Sequence, residues 1–174
     1  DVGGTSYDLY GKPLTEETLE IAKNSDAVLF GAVGGPQWEH LCWDLRPEQA
    51  LLGLRKSLGL FANLRPAFLF NELASASPLK NHIIENLDIL IVRELTGGVY
   101  FGETRGLDED SSPKYAFNTM IYNEDEIRRI AQVAFETSMS RKQKLRLFTT
   151  ANALYDTTFW LVNYTDIAHA YPEV

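Results

Sequence analysis

The stretch DILIVRELTGGVYFGETRG, residues 88–106, decides how this chain folds. Its opening, Asp88 to Glu94, is nearly continuous in apolar residues, the pattern of a strand covered on both faces by helices. The run stops at Gly97-Gly98, where the backbone must turn tightly. Arg93 and Tyr100 flank that turn. A guanidinium presents a permanently charged planar fork that fits carboxylates bidentately, and a phenol is a proton donor. The strand end is therefore a candidate pocket for a small dianion.

Two further arginines widen the pattern. Arg55 stands in LRKSLGL and Arg65 in LFANLRP, just before Pro66. Residues 47–58 read as a helix with Pro47 near its first turn, and Arg55 follows Leu51 by four residues on one face. Residues 14–22, opened by Thr15, read as another helix, and residues 27–33 (AVLFGAV) as a buried strand ended by Gly34-Gly35-Pro36. A short helix is expected over residues 78–86, and turn-rich residues 100–122 suggest a hairpin arm. Asn123 with Glu126 forms a capping-box signature, followed by Ile127, Ile130, Ala131, Ala134 and Phe135 at helical spacing. The spacing predicts that Ile127 and Ile130 are buried. A strand over residues 145–150 and a helix over 157–171 complete the reading. Strands alternating with helices give an α/β class with a mostly parallel sheet, flanking helices and a hairpin arm.

The chain of 174 residues has ordinary hydrophobic (45%) and charged (23%) content, so a soluble globular class is expected. No apolar run reaches the ~18 residues of a membrane helix. A formal charge of −8 argues against nucleic acid, and it makes a local cluster of arginines more pointed. The single cysteine, Cys42, forms no internal disulfide, and no metal-type Cys/His spacing exists, so a cytoplasmic setting is expected. The abrupt start at Asp1 and stop at Val174 suggest a piece of something longer.

Taken together, GAVGGPQW, RPEQALLGLRK, LFANLRP, VRELTGGVYFGETRG and FNTMIYNEDEIRRIAQVAFE resemble the 3-isopropylmalate dehydrogenases, within the isocitrate/isopropylmalate β-decarboxylating dehydrogenases. The resemblance implies an incomplete copy of that fold. Residues 1–62 would be part of the cofactor-side domain and 63–174 most of the substrate and dimerisation domain. It also implies NAD-dependent oxidative decarboxylation of 3-isopropylmalate to 2-oxoisocaproate in leucine biosynthesis. Arg55, Arg65 and Arg93 would bind the carboxylates of a small 2-hydroxy dicarboxylate, and Tyr100 would protonate the enol. Glu48, Leu51 and Leu52 would set specificity, the leucines facing an isopropyl group where isocitrate-type relatives carry a polar residue. Gly34, Gly35, Glu48 and Asn152 would border the nicotinamide. A homodimer is implied, paired through residues 125–139 and the arm at 101–122, with Mg²⁺ or Mn²⁺ as metal, although no residue here matches the metal-binding aspartates. Asp156 and Asp166 read as solvent-facing helix residues.

One departure is chemical. Relatives carry Asp-Lys-Ala-Asn where this chain reads Thr149-Thr150-Ala151-Asn152, so Thr150 occupies the position of the lysine base. Threonine has no proton equilibrium near neutral pH. A catalytically inactive relative that keeps the anion pocket and dimer surface is therefore the second reading.

Overall fold

A computed structural model describes residues 1–148 and 154–174, with Tyr100 described by its backbone alone. The chain divides into two compact units, Asp1–Leu60 and Phe61–Val174.

In the first unit, α1 (Gly4–Tyr10) ends at Gly11, whose φ of 70° is the left-handed conformation that a glycine adopts without penalty. This helix carries no periodic signal, because GTSYDLY has no stripe of large apolar residues. Helix α2 (Glu16–Lys23) begins where Thr15 accepts a hydrogen bond from the Thr18 N–H at 3.2 Å. Helix α3 (Glu48–Ser57) starts after Pro47, and Ala50 and Leu54, at i and i+4, are its buried residues. With Ala22 and Leu41 they supply the apolar core of this unit.

The strand expected over residues 27–33 does not form. A strand exists only as a ladder, and no described residue of this unit forms a strand to pair with it. The segment is anchored at its end, where the Gly4 N–H donates to the Val33 carbonyl at 2.9 Å, while Leu29 is fully exposed.

The second unit is built on β1 (Ala62–Phe68) and β2 (Asp88–Glu94), which pair antiparallel over their full lengths. The strand expected at Asp88–Glu94 is present with those bounds. Its cover is one-sided, a correction to the expectation from its apolar run: Ile89 and Ile91 are 50% and 52% exposed. Asp88 and Glu94, on the alternate face, reach Arg141 and Arg129, so that face lies toward α5 (Glu124–Met139). Between the strands, a 3-10 helix at Asn71–Ala76 precedes α4 (Asn81–Ile84), which is shorter than the 78–86 expected, and Asn86 leaves helical geometry with a φ of 61°.

The hairpin arm is present as β3 (Arg105–Asp108) against β4 (Tyr115–Asn118), again antiparallel. Both ladders among the described residues are thus antiparallel, where a mostly parallel sheet was expected. Helices and strands mix as anticipated, but parallel pairing requires further strands laid beside these. Residues 145–148, expected to begin a strand, form no regular element.

Helix α5 carries the capping box read from sequence. The Asn123 side chain accepts from the Glu126 N–H, and Glu126 accepts from the Asn123 N–H, both at 2.9 Å. Ile127 and Ile130 are buried, at 0% and 3% exposure, as their spacing predicted. Helix α6 (Tyr155–Ala168) packs on α5, and Phe135 sits between Tyr164 and Tyr171 with ring centroids 5.0 and 5.1 Å away. No helix among the described residues is long and apolar enough to cross a membrane.

Candidate active site

The β1–β2 register brings two of the predicted arginines together. Asn63 pairs with Arg93, and Arg65 with Ile91, so Asn63, Arg65 and Arg93 share one face of the ladder. Arg65 donates from Nε to Asn63 Oδ1 at 2.5 Å, which ties its guanidinium to the residue paired with Arg93. This face is the one opposite α5. Asn63 was not singled out from sequence; its place two residues before Arg65 on a strand was the available signal.

In the first unit, Glu48, Leu51, Leu52 and Arg55 lie at i, i+3, i+4 and i+7 on α3, a single stripe. Leu51 and Leu52 are half-buried, whereas Ala50 and Leu54 form the core side. The two leucines thus flank Arg55 instead of filling the interior. The glycine loop meets the start of the same helix. A side chain on Gly34 would come within 3.0 Å of Pro47 Cβ and 3.4 Å of Glu48 Oε1. Gly35, Trp38, Glu39, Arg46, Pro47 and Glu48 line a small open hollow there. Arg46 braces it, donating to the carbonyls of Leu41 at 3.2 Å and Glu39 at 3.3 Å. Gly34, Gly35 and Glu48 are therefore gathered as the sequence suggested, around a cleft in which a Cβ on Gly34 would be tight.

Beyond Arg93 the chain turns through Gly97-Gly98 into a short 3-10 turn, Gly98–Tyr100. Gly98 has a φ of 79° and donates its N–H to the Ile121 carbonyl at 2.7 Å. The Tyr122 ring lies over both glycines: a Cβ on Gly97 would be 2.7 Å from Tyr122 Cδ1, and one on Gly98 2.5 Å from Oη. Burial holds the Tyr122 phenol above its ordinary pKa, with the charges of Glu94 and Asp156 adding to the effect and Arg93 opposing it.

Glu94 is the residue that sequence reasoning passed over. Its side chain is only 3% exposed. Oε2 accepts from the N–H groups of Thr96 and Gly97, each at 2.8 Å. Oε1 accepts from the Thr96 hydroxyl and from Arg129 Nη2, the latter at 3.5 Å. Arg129 also donates to the Thr96 hydroxyl and lies over the Phe61 ring, 4.8 Å from its centroid. A carboxylate closing an apolar strand was the available signal, since a buried charge must be paired.

Thr150 and Asn152 lie outside the described residues, as does the Tyr100 side chain. Asp166 is exposed and pairs with Arg128 at 3.1 Å, as a solvent-facing residue would. Asp156 corrects its assignment: Oδ2 is buried with no hydrogen-bond partner among the described residues, and its charge acts on Tyr122, while Tyr155 beside it is the residue turned to solvent. No group of three or more His, Cys, Asp or Glu side chains gathers among the described residues.

Comparison with known proteins gives this geometry a family. Residues 1–174 match the isocitrate/isopropylmalate dehydrogenase family. The chain is 55% identical over 174 residues to a 3-isopropylmalate dehydrogenase of Hydrogenovibrio crunogenus, covering 99% of this chain and 49% of that protein. It is 52% identical over 173 residues to the enzyme so named in Thiobacillus denitrificans, again covering 99% and 49%. The chain thus spans about half the length of the curated relatives it matches. Among solved structures, a β-decarboxylating dehydrogenase of Thermococcus kodakarensis superposes with a TM-score of 0.68 at 29% identity, covering 97% of this chain and 44% of that one. An isocitrate dehydrogenase of Methylococcus capsulatus shares the fold with a TM-score of 0.72 at 23% identity, covering 99% and 48%. With the family match running over its whole length, this chain belongs to the isocitrate/isopropylmalate dehydrogenase family.

Proposed function

We propose that this chain forms the arginine-bearing half of a 3-isopropylmalate dehydrogenase, which oxidises 3-isopropylmalate with NAD and releases its β-carboxylate to give 2-oxoisocaproate. The observation that carries the reading is the common face of Arg65 and Arg93, fixed by the ladder and followed at once by the turn into Tyr100. Two guanidiniums on one rigid face are preorganised for a dicarboxylate and lose little conformational freedom on binding. The family resemblance would assign Arg55 of α3 to the same substrate, with Leu51 and Leu52 on its stripe as an apolar wall for the isopropyl group. That wall disfavours a third carboxylate, which would be left unpaired.

NAD supplies the hydride acceptor. The absent Cβ lets Gly34 pack directly against Pro47 and Glu48 at the start of α3; by resemblance to the family, this loop and Asn152 would border the nicotinamide. As decarboxylation leaves an enolate, the guanidiniums stabilise the developing charge and the Tyr100 phenol delivers the proton. A divalent metal belongs to the expectation from the family, but the described residues offer no cluster of three ligands, and no step is assigned to one. The dimer, through α5 and the β3–β4 arm, is part of the same proposal.

Identities of 52–55% to enzymes of this name along nearly the whole chain support the dehydrogenase over the inactive relative. The test is NADH formation from 3-isopropylmalate with Mn²⁺ by the intact protein that carries this chain. Turnover is expected, with Arg93→Gln raising KM for the substrate by about 10-fold or more through loss of one charge-assisted contact of about 1.5–3 kcal/mol. Turnover on isocitrate in preference would overturn the assignment of the leucines.

A further inference from the structure

Arg93 and the residues after Gly97 are held in place by different means. Arg93 lies inside the β1–β2 ladder, opposite Asn63, so backbone pairing sets its position. The turn beyond it lies outside the ladder, with the Gly98 N–H on the Ile121 carbonyl, and its Thr96 and Gly97 N–H groups are held by a side chain. Glu94 Oε2 takes the N–H groups of both Thr96 and Gly97, while Oε1 is engaged by the Thr96 hydroxyl and Arg129. Thr96 and Arg129 also bond each other, closing a triangle between the end of β2 and α5. Tyr122 blocks the other side of the turn. A buried carboxylate with every lone pair directed at a local donor is a rigid element, since letting go of any donor leaves charge unpaired.

We propose that Glu94, held by Arg129, is a positioning residue that fixes the turn between Arg93 and Tyr100, and so sets where the proton donor stands relative to the bound dianion. This rests on the functional reading above. Because the ladder and not Glu94 places the arginines, loss of Glu94 misplaces proton delivery while leaving substrate binding nearly intact. A displacement of about 1 Å costs about 100-fold in rate.

The experiment uses the intact protein and follows NADH formation from 3-isopropylmalate for the unsubstituted enzyme, Glu94→Ala, Glu94→Gln, Tyr100→Phe and the Glu94→Ala/Tyr100→Phe double variant. Glu94→Ala should lower kcat about 100-fold with KM changed by less than about 3-fold, and should raise the solvent deuterium isotope effect on kcat as proton delivery becomes limiting. Glu94→Gln keeps one oxygen for the two backbone N–H groups and should recover most of the loss. In the Tyr100→Phe background Glu94→Ala should cost no more than about 3-fold further, because the two act as one unit. A merely structural residue would give multiplicative losses and an unchanged isotope effect, and either result overturns the proposal. Should Glu94→Ala fail to fold, Gly97→Ala moves the same turn from outside the triangle and must show the same pattern. No turnover by the unsubstituted protein overturns the functional reading itself; turnover indifferent to Glu94 overturns the positioning role alone.

Discussion

Replacing Gly98 with alanine tests the turn energetically and without any assay of activity. Gly98 has a φ of 79°, a region that costs an L-residue about 1–2 kcal/mol. Its new Cβ would stand 2.5 Å from Tyr122 Oη and 2.9 Å from Cζ. Ordinary contact begins near ~3.4 Å, so the ring must retreat by nearly an ångström in a packed setting, an overpacking term of about 1–3 kcal/mol. Gly98→Ala should therefore destabilise by about 2–5 kcal/mol in all, a large part of the ~5–15 kcal/mol typical of a domain. Tyr122→Phe deletes Oη, and the nearest remaining atom is Cζ, so the double variant should recover part of the overpacking and none of the backbone cost. Urea denaturation of the four proteins in this cycle gives the coupling directly. With slopes of about 1–3 kcal/mol per molar, the Gly98→Ala midpoint should fall by about 1 M or more. Additivity of the two substitutions within about 0.5 kcal/mol would refute the argument, because it would mean that the phenol does not meet the new methyl group.

Phe135→Ala should cost about 3–5 kcal/mol in a melt or denaturant titration, since the ring is 2% exposed and packed between Tyr164 and Tyr171; Phe135→Leu should cost clearly less. Tyr122 should titrate above the ordinary tyrosine value of 10.0 in an absorbance titration, burial being the first cause. Its folded pKa exceeds its unfolded one, so the stability it contributes is full below pH 10.0 and is lost as pH rises through the folded value; Tyr122→Phe should flatten that alkaline loss. Thr150→Lys, which supplies the lysine base that the family resemblance implies at this position, should raise kcat for 3-isopropylmalate by about 100-fold or more, read by NADH formation.

The sequence made β2 and α5 legible because each carries its signal within itself. An apolar run closed by a tight turn marks Asp88–Glu94, and a reciprocal capping box with a 3.6-residue stripe marks Glu124–Met139. Residues 27–33 carry the same apolar signal as β2 yet form no strand, because a ladder belongs to two segments and the pattern in one cannot create the other. The site divides along the same line. Arginines near a glycine turn were visible as residue types, and so were the glycine loop and Glu48. Glu94 with Arg129 was not, since 35 residues separate the partners and no spacing within either stretch points to the other.

The alternation of β2 explains why one short strand can bind and brace at once. Its odd positions, Ile89, Ile91 and Arg93, look away from α5, and its even positions, Asp88 and Glu94, are tied to arginines on or just beyond that helix. Arg93 and Glu94 are adjacent in sequence and therefore cannot share a face. A slip of one residue in the ladder would exchange them, burying a guanidinium against α5 and turning the carboxylate toward Arg65. The Glu94–Arg129 pair resists that slip, because it would leave both charges without their partners. What holds the turn thus also favours the register, while the backbone pairing from Ala62 to Phe68 itself keeps the arginine face in place.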